Sequence, residues 1–324
     1  MRAAELPDGG GAAQPDKTAG SLIAARRTPV GIAFGAGAAR GWAHIGVVNR
    51  LVEAGIVPSA IAGTSIGALV GGCFAAGRIE KLEEFARSIT RRRLFSFLDI
   101  AWRGSGLITG DRLRGLLEDH LTGVTFEDLQ LPFTCIATEL MTGHEIWLRS
   151  GLVTPAIRAS YALPGVFKPV RHDGKWLIDG AVVNPIPVSA CRAMGSRLVI
   201  AVNLSTDVYG GTVIQHMPRP GPAVLQDLAI EGSRDSTLRK MLGRENDPGL
   251  TTVLVTAFNI TQDRLARSRL AGDPPDITIV PRTPSIGLFE FDRAAEAISA
   301  GRLAAERALP EIERSLALLE AVQL

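Results

Sequence analysis

Ala60-Ile61-Ala62-Gly63-Thr64-Ser65-Ile66-Gly67-Ala68-Leu69-Val70 holds the turn from which the rest of the chain can be read. Ala60 to Ala62 is a short apolar run of strand type, and Ile66 to Ala76 is an apolar, glycine-spaced run of helix type. Between them a serine sits flanked by two glycines, Gly63-Thr64-Ser65-Ile66-Gly67. A sharp strand-to-helix turn lifts a serine hydroxyl clear of the sheet, and the glycines let backbone and substrate approach closely. The helix that follows presents free N–H groups and a positive dipole end where an oxyanion would form. A buried strand feeding a buried helix is also the repeating unit of an α/β fold.

Length and composition allow such a fold. The 324 residues can form one large α/β domain or two small ones, and 46% hydrophobic content with few aromatics suits a parallel sheet covered by helices. Net charge is +2, with 35 basic against 33 acidic residues, which gives no reason to expect a nucleic-acid partner. Cys73, Cys135 and Cys191 lie in apolar neighbourhoods without metal-type spacing, so they read as reduced, buried thiols, and neither a metal nor a cofactor is expected. Reduced thiols, the absence of a signal-peptide pattern and the absence of an apolar run of about 20 residues lead to a cytoplasmic expectation.

Outward from the serine turn the chain alternates strands and helices. Residues 1–28 are rich in Gly, Ala and Pro and read as a disordered tail. Val30 to Phe34 is a strand, Gly35 to Gly41 a glycine loop, and Trp42 to Ala54 a helix closed by Gly55. Glu80 to Ile89 and Arg112 to Leu121 are amphipathic helices, and Phe133 to Ala137 and Ile146 to Leu148 are strands. Thr154-Pro155 starts a short helix to Ser160. Asp173-Gly174 turns a hairpin between Val170-Arg171-His172 and Lys175 to Ile178. Leu198 to Leu204 is a further buried strand. Residues 207–250 read as an insertion or flap, and Thr252 to Phe258, Ile277 to Val280 and a helix from Asp292 to Ala308 finish the domain. The expected organisation is one domain over residues 29–310 with a helical end at 311–324. Its fold class is α/β with a mostly parallel sheet.

Two segments are candidate partners of Ser65. The loop Gly35-Ala36-Gly37-Ala38-Ala39-Arg40-Gly41 leaves small-residue amides free to meet an anion, and its strand would lie beside the serine strand. Read as a dinucleotide fingerprint the loop fails, because Arg40 stands at the third glycine position and no acidic residue follows a second strand. Asp179, in Ile178-Asp179-Gly180-Ala181, follows the hairpin strand, and the glycine after it allows an exposed, sharply turning carboxylate. Asp-Gly is equally a common structural turn. Beyond Asp179 the one histidine is His216, inside the Pro-rich segment, and His44 reads as a packed, hydrogen-bonded residue. His120, His144 and His172 have no motif around them. A Ser–Asp dyad is therefore the economical reading, with a histidine-dependent triad through His216 as the alternative.

In order along the chain, the glycine loop, Gly63-Thr64-Ser65-Ile66-Gly67, Ala159-Ser160-Tyr161-Ala162-Leu163-Pro164-Gly165 and Asp179-Gly180-Ala181 resemble the patatin-like phospholipases. The chain is most similar to their small bacterial single-domain members of the RssA type. The resemblance continues through Asn184-Pro185-Ile186-Pro187 to Ala271-Gly272-Asp273-Pro274-Pro275-Asp276 and spans about Val30 to Ala308. It implies a three-layer α/β/α fold, Ser65 as nucleophile, Asp179 as base and oxyanion amides from the loop, namely Gly37 and Ala38. Arg40 would anchor that loop or meet a lipid phosphate. The implied substrate is a lipid or other acyl ester, cleaved without a cofactor. In one respect the chain departs from the family pattern: Ala36 and Ala38 interrupt the usual consecutive glycines, and a positive φ is costly for alanine. A catalytically weak regulatory or adaptor protein is the alternative that this departure raises. Leu94-Phe95-Ser96-Phe97-Leu98 and Ile100-Ala101-Trp102, edged by Arg91-Arg92-Arg93, read either as core or as an apolar patch making peripheral contact with an anionic membrane.

Overall fold

In the computed structural model, residues 28–90, 121–205 and 250–322 are described. The N-terminal tail (residues 1–27), Arg91 to Trp102, almost all of the Arg112–Leu121 helix, His120, His216 and the flap at 206–249 lie outside the described residues. The strands are β1 (Val30–Phe34), β2 (Ala60–Thr64), β3 (Phe133–Glu139), β4 (Glu145–Leu148), β5 (Val170–His172), β6 (Lys175–Asp179), β7 (Leu198–Val202) and β8 (Ile277–Ile279). The helices are α1 (Ala43–Glu53), α2 (Ile66–Ala75), α3 (Ile79–Ser88), α4 (Val153–Ser160), α5 (Val188–Ala193), α6 (Leu250–Gly272) and α7 (Ala294–Ala321).

These strands form one mixed sheet in the order β5-β6-β3-β2-β1-β7-β8, with β4 also paired to β3. The centre is parallel: β1 pairs with β2 and β7, β2 with β3, and β7 with β8. Strands β4 and β6 pair with β3 in the antiparallel sense, and β5 does so with β6. Alternate residues of the central strands bury on opposite faces, as the two-residue strand period requires. Ile32, Phe34, Ile61, Cys135, Ile200 and Val202 join one apolar core with α1, α2, α4 and α7. Ala33, Ala62, Ile136, Val199 and Ala201 join a second with α5 and Ala266 of α6. Helices therefore cover both faces, and the fold is the three-layer α/β/α arrangement.

Register along β3 sets the site. Ile61 to Thr64 of β2 pair with Phe133 to Ile136, and Leu177 to Asp179 of β6 pair with Glu139 back to Ala137. Since β4 occupies the other edge of β3 over Cys135 to Thr138, β2 and β6 share one edge and meet end to end. The last residue of β6 is Asp179, and the residue after β2 is Ser65. Two strands far apart in sequence thus deliver these side chains to one point.

Two expected elements differ. Thr252 to Phe258 belongs to α6, which runs on to Gly272. The helix expected to stop at Ala308 continues through Pro310 to Ala321. Pro310 is exposed, while Leu309 and Ile312 beside it are buried, so packing holds the helix across the lost hydrogen bond. The long α7 packs on α1 at van der Waals range. A Cβ on Gly301 would lie 2.0 Å from the Ala43 carbonyl oxygen, and one on Gly46 would lie 1.9 Å from that of Ile298. Arg302 bridges Glu53 through both terminal nitrogens, and Arg50 pairs with Glu306 across the same seam. No helix among the described residues is long and apolar enough to cross a membrane.

Candidate active site

Ser65 leaves β2 with φ 57° and ψ −122°, a backbone region that side chains rarely occupy. The glycines on either side permit it. A Cβ on Gly67 would sit 2.2 Å from the Phe34 carbonyl oxygen, and one on Gly63 would sit 2.4 Å from that of Gly67. The first turn of α2 is thereby seated directly on the sheet backbone. The Ser65 carbonyl accepts from the Ala68 and Leu69 amides, but its hydroxyl takes no capping role in the helix. Instead Oγ donates to Oδ2 of Asp179 at 2.7 Å.

Asp179 is buried, although the glycine after it would also allow an exposed carboxylate. The glycine after it serves a different end from a sharp exposed turn: a Cβ on Gly180 would lie 2.3 Å from the Ile136 carbonyl oxygen of β3. Oδ1 of Asp179 accepts from the Ala181 amide at 2.8 Å. Its own amide donates to the Ala162 carbonyl, and its carbonyl accepts from Thr138 Oγ1. Burial pushes its pKa up to about 7, against the opposing pull of the Ala181 and Ser65 hydrogen bonds.

The glycine loop lies across the mouth of this pair. The amides of Gly35, Ala36 and Ala39 donate to the carbonyls of Val202, Pro185 and Leu288. Between them, the amides of Gly37 and Ala38 make no hydrogen bond among the described residues. Both residues line one cleft with Ser65 and Asp179. Of the two alanines that interrupt the glycines, Ala38 alone takes a positive φ, 49°, while Ala36 is held by Pro185 in ordinary backbone geometry. Arg40 is buried and its Nη1 donates to the Leu204 carbonyl at 3.4 Å, a contact that ties the loop to the end of β7. His44 packs 4.8 Å from the Phe34 ring and its Nε2 donates to the Gly35 carbonyl at 2.7 Å. Burial drives its pKa down to about 4, so it is neutral and structural.

The sequence assigned no task to Ser160, yet its buried hydroxyl accepts the Ser65 amide at 2.9 Å. That acceptor holds the strained turn from behind. A lone serine in an apolar helix end gives no periodic signal, so only its place in the Ala159–Gly165 block could have marked it. Leu163, Phe258, Leu288 and Phe289 supply an apolar wall to the cleft, from three segments that no local motif connects. Among the described residues no imidazole is hydrogen-bonded to Ser65 or Asp179, and no group of three metal-type side chains occurs. Cys73, Cys135 and Cys191 are free and buried, their thiols pushed up to about 12.

The model of the patatin-like phospholipase family matches residues 32–192. An uncharacterized NTE family protein of Mycobacterium tuberculosis is 34% identical over 332 residues, covering 88% of this chain and 92% of the relative. A second such protein of the same organism is 30% identical over 288 residues, and this chain covers 46% of it. Among solved structures, VipD from Legionella pneumophila aligns loosely, with a TM-score of 0.44 and 13% identity over 88% of this chain and 67% of that one. By the family match and the near full-length relative, the chain belongs to the patatin-like phospholipase family.

Proposed function

We propose that this chain is a serine acyl-ester hydrolase that works through a Ser65–Asp179 dyad, in the small single-domain form that its sequence resembles. The observation that carries the reading is the 2.7 Å hydrogen bond from Ser65 Oγ to a buried carboxylate, made at the end of a strained strand-to-helix turn. In the first step Asp179 accepts the hydroxyl proton as Oγ attacks the acyl carbonyl. The Gly37 and Ala38 amides hold the negative oxygen that forms, and the protonated Asp179 then passes its proton to the leaving alcohol. In the second step Asp179 takes a proton from water, the hydroxide attacks the acyl-serine carbonyl, and Ser65 recovers its proton as the acid leaves.

An ordinary aspartate near 3.9 is a weak base at neutral pH, and a carboxylate raised to about 7 is matched to the task. The apolar wall of Leu163, Phe258, Leu288 and Phe289 suits a hydrocarbon acyl chain. Arg40 is assigned to anchoring the loop through Leu204. A second reading, a weakly active regulatory protein of the same fold, is favoured by the strain at Ala38. A panel of acyl esters of increasing chain length decides between the two. Hydrolysis by the wild type that is abolished in Ser65→Ala supports the hydrolase. Equal background rates in both would leave the regulatory reading.

A further inference from the structure

The β5–β6 hairpin extends the sheet past the end of the serine strand. Because β6 takes over the edge of β3 where β2 stops, Trp176 and Leu140 lie three residues along β3 beyond the Asp179 level, about 10 Å further out. What projects there is apolar and basic together. Leu140 is 45% exposed, Met141 78% and Trp176 46%, and the Leu140 amide donates to the Trp176 carbonyl, so the three share one rim. Arg171 holds its guanidinium 6.0 Å from the centroid of the Trp176 ring. Arg171 stands opposite Trp176 and Lys168 two residues before β5, nearer the Asp179 level; both are exposed, and neither forms an ion pair among the described residues. Of the nearby carboxylates, Glu139 pairs with Lys175 at 3.5 Å, while Asp173, 3.5 Å from His172, has an 89% exposed side chain at the hairpin turn.

We infer that this rim is a docking surface for an anionic lipid bilayer, which seats the chain with the Ser65 cleft facing the membrane. Two features select a bilayer as the occupant. Tryptophan with exposed aliphatic side chains, flanked by Arg171 with Lys168 just before β5, matches the layered chemistry of a lipid interface, apolar below and anionic at the headgroups. The rim also lies on the same end of the sheet as the cleft, so a surface bound there is the surface that supplies acyl esters. The inference rests on the hydrolase reading for its purpose, but vesicle binding can be measured without catalysis.

The test uses the full chain, its Lys168→Gln/Arg171→Gln double variant and its Met141→Asp variant. Each is sedimented with phosphatidylcholine vesicles containing or lacking phosphatidylglycerol, at low and high salt. Each is also assayed on a short, soluble acyl ester. Each cation near an anionic surface contributes roughly fivefold in affinity, so the double variant should bind about twenty-five-fold more weakly. Met141→Asp should also lose binding, high salt should release the wild type, and soluble-ester hydrolysis should stay within about twofold throughout. Wild type that ignores phosphatidylglycerol vesicles at low salt, while hydrolysing the soluble ester, overturns the docking surface and leaves the hydrolase standing. Undiminished vesicle binding by both variants also overturns it, since the contact then lies elsewhere. Variant-sensitive vesicle binding without any ester hydrolysis supports the surface and sinks the hydrolase reading instead.

Discussion

Asp179 carries two consequences of being buried. Its carboxylate must be ionised to accept the Ser65 proton, and its pKa stands at about 7. For a soluble ester, kcat/KM should therefore climb with pH, reach half its plateau near 7 and level off above it. A rate already flat from pH 5 upward would show that the base ionises normally and is solvated. Ala38 offers a second test at this scale. An L-residue at φ 49° is strained by about 1 kcal/mol or more, and glycine removes that strain while adding some freedom to the unfolded chain. Ala38→Gly should raise unfolding free energy by about 0.5 kcal/mol, with hydrolysis unchanged or faster. Loss of both stability and activity would mean that the methyl group makes a packing contact that matters more than the backbone. Both tested residues were visible in the sequence as members of motifs. The burial of Asp179 was not, because Asp-Gly is written the same way in an exposed turn and in a carboxylate pressed against a neighbouring strand.

Elements were legible to the degree that their periodicity was local. Val30–Phe34, Ala60–Thr64, the serine turn and the 170–179 hairpin all announce themselves by apolar runs bounded by glycine or Asp-Gly. The helix at Leu250–Gly272 did not, since its first residues are β-branched and apolar and read equally well as a strand. Pro310 concealed the length of α7 for a comparable reason: a local breaker is overruled when residues on both sides are buried. The end-to-end meeting of β2 and β6 on β3 is a long-range pairing that no window of sequence contains, and it is the step that joins Ser65 to Asp179. The α1–α7 seam gives the element-scale prediction. Gly301→Ala places a methyl carbon 2.0 Å from the Ala43 carbonyl oxygen, which belongs to backbone and cannot swing aside. The helices must part, at a loss of about 3 kcal/mol read by denaturant unfolding. A change below about 0.5 kcal/mol would show that α7 slides freely on α1.

At the scale of the molecule, two buried titratable groups oppose each other. His44, lowered from 6.5 to about 4, contributes stability that is complete above pH 6.5 and drains away as pH falls to about 4. Asp179, raised from 3.8 to about 7, works the other way: its contribution is complete below about 3.8 and is lost as pH rises to about 7. Between pH 4 and 6.5 the two slopes nearly cancel, so wild-type unfolding free energy should be almost flat. Asparagine cannot ionise, so Asp179→Asn should unmask the histidine and gain about 3 kcal/mol across that window. An equally flat variant would show that one of the two groups is not desolvated as described. The same variant serves the most direct test of the dyad, reaction of the whole chain with a fluorophosphonate followed by mass-spectrometric mapping of every serine. The predicted result is a single adduct on Ser65, formed at a rate that rises with pH to a midpoint near 7 and falls by about two orders of magnitude or more in Asp179→Asn. An adduct on another serine, or an undiminished rate in the asparagine variant, would contradict the account.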